Sequence, residues 1–184
     1  MSRLFVAVVP PSQVVDDVDA FTEPRRLTDS PLRWTPPHSW HLTLAFMASV
    51  LDYQMDELSE RLEHAAARQH PFEVRVERAG AFPNPAEARV LWVGIGGDTE
   101  PLVHLSAAAR SAAVKAGIEV DGARFRPHLT LARINPPTNA TRWLRVFDGY
   151  RSPSWRVDEL ALIESHRHGG GGPRYEILST FPLG

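Results

Sequence analysis

The chain has 184 residues, 43% of them hydrophobic, enough for one ordinary globular domain or for two small lobes sharing a core. It contains no cysteine, which excludes disulfides, thiolate metal sites and a cysteine nucleophile. A net charge of −2 provides no overall basic field for long nucleic acid, so any polyanion is expected to bind locally.

The segment Met1–Pro10 carries one basic residue and a short apolar run broken by proline. It is a poor signal peptide and too short to span a bilayer, so the expectation is a cytoplasmic protein without membrane association. A strand is predicted over 3–9. Ser12 is placed as the N-cap of an amphipathic helix that carries Val14, Val15, Val18 and Phe21 and runs to about Arg26. A proline-marked loop leads to a strand over 40–47. Asp52 is predicted to open a second helix through Met55, Leu58 and Leu62, ending near His70-Pro71. Strands follow at 72–82 and 89–95, separated by the turn signal Pro83-Asn84-Pro85. Thr99 is placed as the cap of a third helix with Leu102, Leu105, Ala109 and Ala112 on its apolar face. A strand over 126–134, a short helix near 140–148 and strands near 155–164 and 174–181 complete the chain. Between the last two lies Gly169-Gly170-Gly171-Gly172, which is no phosphate loop because no Lys-Ser/Thr and no helix follow it.

One tetrapeptide occurs twice, His41-Leu42-Thr43-Leu44 and His128-Leu129-Thr130-Leu131, each inside a predicted strand. Strand alternation sends both leucines to a core and puts each histidine on the other face with its threonine. Sliding the chain by the motif spacing (128 − 41 = 87) lays Leu4–Val8 on Leu91–Ile95, Ser12 on Thr99, and helix on helix. The expectation is an α+β, bilobal, pseudo-twofold duplicated fold, with two antiparallel sheets lining a central cleft and helices packed outside. Residues 1–184 form a single unit with pseudo-repeats of roughly 1–87 and 88–184, an arrangement in which the lobes are free to exchange strands.

The paired motifs resemble those of the 2H phosphoesterases, whose signature is two His-x-Thr-x segments. Within them the chain is most similar to the bacterial and archaeal RNA 2′,3′-cyclic phosphodiesterases once called 2′-5′ RNA ligases. The resemblance extends to Arg3-Leu4-Phe5-Val6-Ala7, Arg33-Trp34, Pro36-Pro37, Phe46, Arg89–Gly94, Phe125–Arg133 and Pro173–Leu178. Met47-Ala48 and Trp40 depart from the usual family residues without removing a catalytic group. The resemblance implies that His41 is the proton donor to the leaving O3′ and His128 the proton acceptor that activates water. It also implies a substrate that is RNA with a 2′,3′-cyclic phosphate terminus or a small cyclic nucleotide. Neither a cofactor nor a metal is expected, and the chain is expected to be a monomer.

The chemistry is consistent with the residues themselves. Hydrolysis of a cyclic phosphodiester near pH 7 needs one group to take a proton from water and another to protonate the departing ribose oxygen. Two imidazoles fill both roles. In-line displacement requires them on opposite sides of the phosphorus. Thr43 and Thr130 are placed to donate hydroxyls to non-bridging oxygens, and Arg133 to add a charge-assisted contact. Arg126 is either a further phosphate contact or a solvated edge charge. Strict alternation makes Phe46 a core residue, and only a strand end or a bulge would free it to stack on a base. Trp34 and Tyr175 are further stacking candidates, or buried aromatics; Arg89 and Arg174 are family-like residues or structural ion-pair partners. His166-x-His168 is weighed as a metal site and set aside for want of a third ligand. The competing functional readings are a non-catalytic RNA- or nucleotide-binding module and a metallohydrolase.

Overall fold

A computed structural model describes residues 1–26, 30–166 and 173–184. Nine strands and four helices run β1 (Ser2–Val8), α1 (Ser12–Thr22), β2 (Leu32–Trp34), β3 (Leu42–Val50), α2 (Met55–Ala66), β4 (Phe72–Phe82), β5 (Ala88–Gly97), α3 (Thr99–Lys115), β6 (His128–Thr138), α4 (Thr141–Val146), β7 (Trp155–Val157), β8 (Glu159–His166) and β9 (Arg174–Pro182) among the described residues. They form two sheets with every pairing antiparallel. One has the order β3-β1-β8-β9 and the other β2-β6-β5-β4-β7. In each, the leading strand of one half of the chain pairs with its own motif strand, β1 with β3 and β5 with β6. On its other side that strand pairs with a strand from the opposite half: β1 with β8, and β5 with β4. The fold is the duplicated α+β arrangement with two sheets lining a cleft.

One large core joins both sheets to the helices. It takes Leu4, Val6 and Val8 from β1, Leu42, Leu44 and Met47 from β3, Leu129, Leu131 and Ile134 from β6, and the apolar stripes of α1, α2 and α3. The predicted helix positions Leu102, Leu105, Ala109 and Ala112 are all buried there. A smaller cluster of Phe5, Ala7, Ala161 and Ile163 lies on the other face of the first sheet, with Phe46 and Tyr175 packed on it. It is the apolar floor beneath His41.

Several expectations are corrected. Neither Ser12 nor Thr99 is a cap: each is the first helical residue, after Pro11 and Asp98, and no side chain caps either helix. The extended backbone of Pro11 instead offers its carbonyl to the amides of Val14 and Val15. Asp52 opens a 3₁₀ turn rather than the helix, which begins at Met55 and ends at Ala66, short of His70. The segment before the first motif holds the edge strand β2, paired with β6. The stretch 155–164 is not one strand. It breaks at Asp158, with β7 pairing in one sheet and β8 in the other, so the chain crosses between sheets at that residue. The four-glycine run lies outside the described residues.

Candidate active site

Both motif strands depart from simple alternation at the same place. In the first sheet Ala7 faces Thr43 and Val6 faces Ala45, so Leu44 is an extra residue in β3. In the second, Trp92 faces Thr130 and Leu91 faces Ala132, so Leu131 is extra in β6. These are β-bulges, and each flips the face of everything after it. Phe46 therefore pairs with Phe5 on the cleft face instead of entering the core. Arg133, opposite Val90, reaches the cleft by the same device. A bulge leaves a carbonyl outside the ladder, and both are satisfied from elsewhere. Ser106 of α3, buried, donates to the Leu44 carbonyl at 2.7 Å, and the Thr35 amide donates to the Leu131 carbonyl at 2.8 Å.

The two imidazoles are held alike. Nδ1 of His41 lies 2.8 Å from the Ser39 carbonyl, and Nδ1 of His128 lies 2.6 Å from the Arg126 carbonyl. A carbonyl only accepts, so each Nδ1 carries a proton and each Nε2 is left as the nitrogen that exchanges one. The rings differ in their walls. His41 stacks on Phe5 with centroids 4.5 Å apart and meets Tyr175 edge-on at 5.0 Å. His128 meets Phe82 edge-on at 5.1 Å and lies 5.8 Å from Trp92. Gly80, opposite Trp92, leaves the room that this indole fills; a Cβ there would run into it.

Burial holds both imidazoles below the ordinary 6.5, partly offset by their backbone hydrogen bonds. A charge on His128 lowers His41 further, so the two rings sense one another across the cleft. Thr43 and Thr130, each partly exposed, spend their hydroxyls on no other described residue. Arg133 is exposed and has no ion-pair partner among the described residues. It and Arg3 act electrostatically on the Tyr175 hydroxyl, whose pKa burial raises. Arg3 also lies over the Phe46 ring, 4.7 Å from its centroid. Arg126 borders a pocket that Thr43, Phe46 and His128 also line.

The remaining candidates fall elsewhere. Trp34 faces Ala132 on the core side and packs edge-on against Trp143 at 5.0 Å, which removes it as a base-stacking residue. Its neighbour Arg33, opposite Arg133, is the residue that faces the cleft. Arg89 and Arg174 are exposed and form no ion pair with a described residue. His166 lies 3.1 Å from Glu176 and 3.6 Å from Glu164. The donor atoms of this trio are within 4.8 Å of one another, a metal-type set, but it occupies the face of the sheet opposite Tyr175 and the cleft. His168 lies outside the described residues.

A family model described as the 2′-5′ RNA ligase superfamily matches residues 10–169. The chain belongs to this superfamily. Among curated relatives it is 30% identical over 155 residues to the RNA 2′,3′-cyclic phosphodiesterase of Aquifex aeolicus, covering 83% of this chain and 82% of that one. The protein of the same name from Thermus thermophilus is 32% identical over 192 residues, covering 98% and 90%. The solved structure of E. coli LigT complexed with 3′-AMP superposes with a TM-score of 0.80 at 25% identity, covering 99% of this chain and 98% of that one. Among the described residues no helix is long and apolar enough to cross a membrane.

Proposed function

We propose that the chain hydrolyses the 2′,3′-cyclic phosphodiester at RNA ends to a 2′-phosphomonoester by metal-independent acid-base catalysis. The observation that carries this reading is the pair of imidazoles, each tied through Nδ1 to the carbonyl two residues earlier, each free at Nε2 and each beside an unengaged threonine hydroxyl. The relatives, named RNA 2′,3′-cyclic phosphodiesterases, point to the same reaction. Water attacks phosphorus as its proton passes to Nε2 of His128. The P–O3′ bond breaks as Nε2–H of His41 gives its proton to O3′. Thr43, Thr130 and Arg133 offset the charge that builds on the non-bridging oxygens. Ligation to a 2′-5′ linkage is the same ring opening with the 5′-hydroxyl of a second strand attacking phosphorus in place of water while O3′ departs, and dilute substrate in water favours hydrolysis.

The whole chain acts as one unit, with pseudo-repeats of roughly 1–87 and 88–184 that exchange strands between the two sheets. Both motifs come from one chain, which supports a monomer as the active form, and the composition supports a cytoplasmic location. The test is incubation in excess chelator with a short RNA ending in a 2′,3′-cyclic phosphate, with the product end identified by enzymes that distinguish 2′- from 3′-phosphates. A 2′-phosphate formed under chelation is the expected result. Ligand binding without turnover would support a binding module instead, and a strict metal requirement would support a metallohydrolase.

A further inference from the structure

Beyond His128 the cleft continues into a pocket of about 170 Å³ between β3 and the segment 121–126. Three arginines line it, Arg110 from α3 together with Arg124 and Arg126, against one acid, Asp121. This concentrates positive charge on a chain whose net charge is −2. The segment is fastened on both sides. The Asp121 amide donates to the Phe46 carbonyl at 3.0 Å, and the Arg110 guanidinium donates to the Asp121 carbonyl. The Asp121 carboxylate accepts from the Ala123 amide at 3.2 Å, which ties it into its own turn. Arg124 and Arg126 are exposed, and neither has an ion-pair partner among the described residues.

Two free guanidiniums on an anchored segment, beside a pocket that touches a motif histidine and a motif threonine, exceed what one cyclic phosphate needs. That phosphate already has Thr43, Thr130 and Arg133. Guanidinium forks suit a second phosphate. We propose that this pocket is the subsite for the phosphodiester that joins the terminal nucleotide to its upstream neighbour, bound by Arg124 and Arg126. The substrate class is then an oligonucleotide end, and mononucleoside 2′,3′-cyclic phosphates are poor substrates. The inference rests on the cyclic phosphodiesterase reading above and names the substrate of that site.

The test compares three substrates at fixed ionic strength: a mononucleoside 2′,3′-cyclic phosphate, a trinucleotide ending in the same group, and that trinucleotide with an uncharged methylphosphonate at the last internal linkage. The trinucleotide is expected to exceed the mononucleotide in kcat/KM by about tenfold or more, the range of a charge-assisted contact, and to do so through KM. The methylphosphonate is expected to behave like the mononucleotide. A tenfold rise in salt should cut the trinucleotide advantage by about fivefold for each phosphate contacted. Arg124→Gln should erase most of the advantage and leave mononucleotide turnover unchanged. Equal kcat/KM on all three substrates, or an equal loss on all three in Arg124→Gln, would overturn the subsite and leave the hydrolase reading standing. Turnover of none of them by the unaltered protein would overturn both.

Discussion

The two motif strands share a backbone and differ in what surrounds it. β3 and β6 carry the same bulge, the same leucine carbonyl freed by it and the same Nδ1 tether. Around them, His41 is sandwiched by Phe5 and Tyr175 over an apolar floor, whereas His128 sits between Phe82 and Trp92 beside an arginine-lined pocket. Past the bulge the first strand presents Phe46 and the second Arg133. Duplication supplies two equivalent imidazoles on opposite sides of a cleft, and the walls make them unequal. A reaction needing one acid and one base benefits from that inequality, because a symmetric pair would bind the substrate in two orientations with equal ease.

The largest expected effect comes from breaking either side. His41→Ala and His128→Ala should each lower kcat by about 10²–10⁴-fold in single-turnover assays, and the double variant should fall by much less than the product of the two. Retention of more than a tenth of the rate in either would contradict the pairing. Next come the threonines. Thr43→Val and Thr130→Val each remove one hydrogen bond to a charged group, and steady-state kinetics should record losses of about 10- to 100-fold. A loss in only one would mean that a single side holds the non-bridging oxygens.

A pH profile sharpens the comparison further. Burial holds both rings below 6.5, so at pH 7 the free protein has both largely neutral. The productive form holds one proton between them. It grows as pH falls toward their pKa values and declines once both are charged. The kcat/KM profile should therefore be bell-shaped with its maximum below pH 6.5, its limbs belonging to the pair. A negatively charged substrate raises both pKa values, so the kcat profile should lie at higher pH. A kcat/KM that climbs steadily through pH 8 would contradict this assignment. The smallest effect is structural and one-sided. Ser106→Ala strips the partner from the buried Leu44 carbonyl, and should cost about 1–3 kcal/mol in denaturant unfolding. It perturbs the first motif and leaves the second, whose bulge carbonyl is held by a backbone amide.

Much of this was legible in the residues. The repeated His-Leu-Thr-Leu fixed two strands with histidine and threonine on one face, and the 87-residue offset aligned leading strands and helices. The bulges were not read, although a signal was present. Both motifs continue with alanine, and Leu44-Ala45 and Leu131-Ala132 are adjacent apolar residues that break the two-residue period; all four are buried. Strict alternation therefore misplaced Phe46. The edge strand β2 escaped because it has three residues, lies among prolines and pairs with a strand about a hundred residues away, a contact with no local signature. Asp158 divides β7 from β8 through tertiary context alone: the acidic pair Asp158-Glu159 between two apolar stretches does not announce that its flanks enter different sheets. The helix starts were misread by one residue because Pro11 and Asp98 occupy the capping position by backbone geometry, with no side-chain bond to mark it.

The pH profile has the same shape whichever ring holds the proton, so the roles need a different probe. A cyclic substrate with sulfur in place of the 3′-oxygen departs as a thiolate and needs no proton donor. On this substrate His41→Ala should regain turnover close to that of the unaltered protein, while His128→Ala remains inactive. Rescue of His128→Ala instead would reverse the two roles, and rescue of neither would contradict a division of labour between acid and base.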